Sequence, residues 1–143
     1  MEQNISALER WLTSGNKKVR LKALKLLLRH PAATPIQLVR CLCADDNRNF
    51  EFQEEFELGS AMRESWGRLR GVTDDEVYEY LASLYSAAPS RNVFHVAHVL
   101  ELLCTPRALR QLKELRSSAT SESRMVFDRA IEQICLQLDS GSN

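Results

Sequence analysis

The sequence predicts an all-α fold of about four antiparallel helical hairpins, and three observations predict it. An alanine-centred pattern recurs along the chain, at Ala23 in VRLKALKLLL (Val19 to Leu28), Ala61 in ELGSA, Ala97 in VFHVA and Ala130 in VFDRA. The intervals are 38, 36 and 33 residues, the period of a helical-hairpin repeat rather than of a heptad. The composition, with five Gly and four Pro and abundant Leu, Ala, Glu and Arg, favours helix. Finally, no Val/Ile/Thr run alternates long enough to read as a strand.

Five positions after each alanine stands another core-like residue, Leu28, Trp66, Leu102 and Cys135, so each repeat is expected to bury a stripe on its second helix. The small alanine between them lets a neighbouring helix approach closely. All four alanines are therefore expected to be buried at helix crossings. A chain of 143 residues, 44% of them hydrophobic, suffices for one packed core, so residues 1–138 are read as a single domain and 139–143, DSGSN, as a polar flexible tail.

The first helix is predicted from Asn4, an N-cap, to Thr13, with Ile5, Leu8, Trp11 and Leu12 on one face. Ser14-Gly15-Asn16 ends it, and the second helix runs from Lys17 to Arg29 until His30-Pro31 stops it. Thr34-Pro35 opens the third, with Ile36, Leu38, Val39, Leu42 and Cys43 apolar. Ala44 to Asn49 is the longest connection. The fourth helix extends from about Phe50 to Arg70, and Gly71 closes it. Thr73 with Glu76 forms a capping box for the fifth, which carries Val77, Tyr80, Leu81 and Leu84. Ala87 to Arg91, containing Pro89, reads as a turn. Asn92 to Cys104, Thr105 to Arg116 and Ser121 to Leu138 complete the series, and each first helix of a hairpin then starts with a cap: Asn4, Thr34, Thr73 and Thr105.

These features resemble the HEAT-repeat family of armadillo-like helical repeats. The likeness lies in hairpins of about 36 residues whose second helix has the form Val-x-x-x-Ala followed by leucines, and it is best in the first unit, LERWLTSGNKKVRLKALKLLL. It weakens in the second, where Glu57 replaces the expected apolar residue. The resemblance implies a right-handed α-solenoid with the second helices on the concave face, and a scaffolding or partner-binding role.

Charge is uneven. Residues 1–33 hold seven Lys/Arg against two Asp/Glu, net +5, whereas 72–104 hold one against five, net −4. The positive charge gathers on the second helix as Lys17, Lys18, Arg20, Lys22, Lys25 and Arg29, which serves either as a solvated outer face or as a contact patch for an acidic partner. Nucleic acid is disfavoured, because the acidic middle (Glu51, Glu54, Glu55, Glu57, Asp74, Asp75, Glu76, Glu79) would repel a phosphate backbone. No apolar run of 18 residues occurs, so no membrane span is expected, and the acidic start, MEQNISALERWL, lacks the features of a secretory signal. Cys41, Cys43, Cys104 and Cys135 form no CxxC pair and read as small hydrophobes of a cytoplasmic protein.

Catalytic patterns are scarce. His95, His98 and Glu101 at three-residue spacing are the sole metal-like group. The iron-binding hydroxylases that resemble this architecture carry His-Glu dipeptides, and none occurs here. There is no nucleophile elbow, phosphate loop or HExxH. No enzyme activity, metal or cofactor is expected. Trp11, Phe94, Phe127, Tyr80 and Trp66 are expected in the core, whereas Phe50, Phe52 and Phe56 either tuck under their loop or anchor a partner.

The function expected is a non-catalytic adaptor, scaffold or inhibitor, including a small immunity-type inhibitor of a toxin, that binds a partner protein through its second helices. The alternative is a helical-repeat enzyme or nucleic-acid-processing domain. Stepping from the anchor alanines, with Arg29 added from the basic face, names the partner-facing residues: Lys22, Lys25, Arg29, Arg63, His95, Asp128 and Glu132.

Overall fold

In a computed structural model, residues 4–45 and 55–141 are described. They form eight α-helices and no strand. Contacts gather into two compact units, Met1–Arg68 and Leu69–Asn143.

The first unit comprises α1 (Ile5–Trp11), α2 (Lys17–Arg29), α3 (Pro35–Leu42) and α4 (Glu55–Leu69), the last residue of which falls in the second unit. Side-chain caps start the early helices, at Asn4 and Thr34 as expected and also at Asn16. Asn4 Oδ1 accepts from the Ser6 amide at 2.8 Å and Asn16 Oδ1 from the Lys18 amide at 2.9 Å, each satisfying a donor that the first helical turn leaves unpaired. Thr34 and Gln37 form a capping box, with the Thr34 amide donating to Gln37 Oε1 at 2.8 Å. Gln37 also donates to Glu9 at 3.0 Å and so ties α3 to α1. His30 is extended, as a residue before proline prefers, and ends α2. Arg68 then closes the following turn by donating to the carbonyls of His30 at 3.0 Å and Ala33 at 2.8 Å. Leu8, Leu24, Leu27, Leu28, Leu38 and Val39 are buried in this unit. Burial, then Glu9 and then Cys43, push the Cys41 thiol up to about 12, so it stays protonated and inert.

The second unit comprises α5 (Asp75–Ala87), α6 (Pro89–Leu103), α7 (Pro106–Ser117) and α8 (Ser121–Gly141). Helix α6 packs on α5, α7 and α8, and α7 on α8. Gly71 sits at φ +83°, a conformation that side chains disfavour, and its amide donates to the Leu103 carbonyl at 2.8 Å. Tyr78 is buried and its hydroxyl lies 2.7 Å from both the Val72 carbonyl and Thr105 Oγ1. Arg107 stacks 4.5 Å over the Tyr78 ring and pairs with Asp75, which holds α7 against α5. Phe127 of α8 meets Tyr85 of α5 edge to face, with 5.2 Å between ring centroids.

Several expectations are corrected. Helix α6 starts at Pro89 rather than Asn92, because proline at the first helical position begins a helix as readily as it ends one. Asn92 is consequently buried and donates to the Leu84 carbonyl at 2.7 Å. Asp74, not Thr73, caps α5, without a side-chain cap bond. The buried stripe of α5 is Val77, Tyr78, Leu81 and Tyr85, with Tyr80 and Leu84 only half-buried. Helix α8 continues past Leu138 to Gly141. Trp11 is 40% and Phe94 68% exposed, so neither is a core residue. Phe50 and Phe52 lie outside the described residues, and Phe56 is exposed.

The four anchor alanines are all buried. The residues five positions on are not uniformly so, since Leu28 is buried but Trp66, Leu102 and Cys135 are half-buried. The reason is geometric: a step of five turns about 140° round an α-helix, whereas a step of four turns about 40°. Leu27, Ser65 and Ile134, four positions after their alanines, are accordingly buried.

Candidate functional site

The third repeat departs from that register twice. Four positions after Ala97, where the other repeats bury Leu27, Ser65 and Ile134, stands Glu101, half-buried. Three positions before Ala97, where the second and fourth repeats bury Leu58 and Phe127, stands Phe94, exposed. A carboxylate cannot be packed into a helix crossing without a large desolvation cost, so α6 and α8 close less completely there. They leave a groove of about 340 Å³, bordered by Phe94, Ala97, His98 and Glu101 of α6 and by Met125, Val126, Arg129 and Ala130 of α8.

Two anchor alanines thus border the groove, and exposed Phe94 and Met125 flank it. Its polar groups are perturbed by burial. Burial raises the Glu101 carboxyl above its ordinary value, with the nearby Arg129 charge partly opposing it, and burial lowers the His98 imidazole. Both shifts favour neutral forms. Among the described residues, no three His, Cys, Asp or Glu side chains gather closely enough to hold a metal ion. His98 and Glu101 border the groove, whereas His95, half-buried, is not among its lining residues.

A second, smaller groove of about 210 Å³ in the other unit is lined by Lys22, Lys25, Leu26, Arg29 and Glu57. The structure therefore brings together the three basic residues that the sequence selected on α2. Two of them already have acidic partners on α4: Lys25 pairs with Glu57 at 3.3 Å and Arg29 with Glu64 at 2.8 Å.

No family model, no characterised protein and no solved structure matches this chain.

The other selected residues are scattered. Arg63 is exposed and its guanidinium lies over Gly59 of its own helix. Asp128 pairs with Arg116 of α7, away from the groove lining. Glu132 is exposed on α8 and does not line the groove. Residue type alone does not mark Phe94, Met125 and Arg129 as groove residues; the signal in the sequence is the charged Glu101 at the fourth position after Ala97, where the other repeats carry Leu27, Ser65 and Ile134.

Proposed function

We propose that this chain is a non-catalytic protein-interaction module, an adaptor, scaffold or inhibitor that engages a partner protein through the face of its second helices. The observation that carries the reading is the α6/α8 groove, where two large apolar side chains, Phe94 and Met125, flank an opening that a partner would cover. In this reading the hairpins stack as a right-handed, HEAT-like α-solenoid. Support comes from neighbours within each unit: α1 bonds to α3 and α2 to α4 in the first, α5 to α7 in the second, and α6 packs on α8. A cytoplasmic setting fits the four free cysteines, three of them buried. Among the described residues no helix is long and apolar enough to cross a membrane.

The test is recovery of partners by the immobilised chain, compared between wild type and the double variant Phe94→Glu, Met125→Glu. Both sites are exposed, so the variant should keep its thermal midpoint within a few degrees and lose the captured protein. Equal recovery by the two proteins would sink the reading. A random DNA duplex retarded by wild type at near-physiological salt would favour nucleic acid instead.

A further inference from the structure

We propose that the outer face of α8 is a self-recognition surface through which two copies of this chain pair in antiparallel register. The proposal rests on reading the second helices as an interaction face, and it names a second copy as the occupant in the C-terminal unit. Met125, Arg129, Glu132 and Leu136 are all exposed and fall within an arc of about 60° on an α-helix. Phe127, Ala130 and Ile134, on the opposite side, are buried. Met125 is 74% exposed, Leu136 56% and Phe94, beside Met125 at the groove, 68%. The other exposed large apolar side chains among the described residues, Trp11 and Phe56, lie in the first unit.

The order along this face is apolar, cation, anion, apolar. Turning a second helix antiparallel about the midpoint between Ala130 and Ile131 sets Met125 opposite the partner's Leu136, and Arg129 opposite the partner's Glu132. The two-fold axis repeats each contact, as a self-complementary interface requires. A parallel pair in register would set like charges against each other at both positions, which is strongly disfavoured. The apolar ends lie ~16 Å apart at 1.5 Å per residue, and Phe94 widens the end formed by Met125. The partner's Leu136 therefore seats over Met125 and Phe94 at both ends of the pair.

Charge complementarity selects this occupant over others. A strongly acidic partner on the same stripe would meet Glu132, and a strongly basic one Arg129, whereas a second copy answers both. One helix face per copy buries less than the roughly 1,200–2,000 Å² of standard stable interfaces, so the dimer is weak and exchanges rapidly.

Sedimentation equilibrium of the full chain up to about 300 μM at about 0.15 M salt tests this in the range where such weak pairs form. Wild type should show a monomer–dimer equilibrium. Arg129→Glu alone and Glu132→Arg alone should each raise the dissociation constant about a hundredfold, since each sets like charges opposite one another. An equimolar mixture of the two variants should associate again, because in the mixed pair every reversed charge meets its opposite. That recovery also shows that both variants are folded. Wild type that stays monomeric at the highest concentration, or a mixture that associates no better than either variant alone, overturns the proposal. The interaction reading would survive a monomeric wild type if the Phe94→Glu, Met125→Glu variant still lost a captured partner.

Discussion

Between α2 and α4 the groove is spanned by Lys25–Glu57 and Arg29–Glu64, whereas between α6 and α8 it is flanked by Phe94 and Met125 and holds Glu101, His98 and Arg129. The first groove answers its own charges. An acidic chain arriving there must displace Glu57 and Glu64 before it gains Lys25 and Arg29, and exposed pairs of this kind exchange at small net benefit. The second has apolar surface in water, and covering it gains about 25 cal/mol for each Å² removed. Total charge along a segment thus does not show how much of that charge its own neighbours answer. The sequence concentrates +5 in residues 1–33, yet the better-defined opening belongs to the other unit.

The comparison can be broken most forcefully at the far side of α8, the helix that forms one wall of the second groove. Phe127 is fully buried against Tyr85, and Phe127→Ala should cost about 3–5 kcal/mol in urea denaturation. A loss under about 1 kcal/mol would mean that α8 is not held by that contact, and the groove would have no fixed wall. Next come the anchor alanines. Ala23 is wholly enclosed, whereas Ala97 borders open space. Ala23→Leu should therefore overpack its crossing and cost about 1–3 kcal/mol, with Ala97→Leu at or below the low end of that range. Equal costs, read from the same denaturation curves, would show that the α6/α8 groove is no roomier than its counterpart.

The burial of the four alanines is legible because a small residue recurs at a near-constant interval inside apolar helical stretches. Capping was legible for the same local reason at Asn4, Thr34 and Thr105, where one side-chain oxygen decides the start of a helix. Pro89 was not, since proline has two opposite meanings and only the packing of Asn92 against Leu84 selects between them. Tyr78 is not legible, because its hydroxyl is satisfied by Val72 just ahead of the helix and by Thr105, 27 residues further on. The groove itself is not legible, because residue type alone puts Phe94 in the core. Glu101, a carboxylate that lines the groove, reads in sequence only as part of the His95, His98 and Glu101 spacing.

A smaller effect tests the charge-matched side. Lys25→Glu and Arg29→Glu each set an acid against Glu57 or Glu64, but in positions partly open to water, so each should destabilise by under about 1 kcal/mol, and less as salt rises. A loss of several kcal/mol, or one insensitive to salt, would show these pairs to be structural rather than surface contacts.

The smallest effect distinguishes the α6/α8 groove by its titration. Glu101 is raised above 4.5, chiefly by burial, so between 4.5 and that raised value the native chain holds a proton that the unfolded chain has released. Its contribution is present at low pH and is lost as pH rises through that window. His98 is lowered below 6.5 by burial, so the unfolded chain holds the extra proton, and stability from this group is lost as pH falls through the window beneath 6.5. The two slopes oppose each other wherever the windows overlap, and the wild-type midpoint there reports their difference. Glu101→Gln leaves the histidine alone, and its thermal midpoint should climb with pH and level off above 6.5. His98→Gln leaves the carboxylate, and its midpoint should fall as pH rises from 4.5. Melting curves from about pH 4 to 8 at constant ionic strength read both slopes directly. If the two variants followed the wild-type profile, neither group would be desolvated in the native chain, and the groove would be open to water as fully as the charged one beside α2.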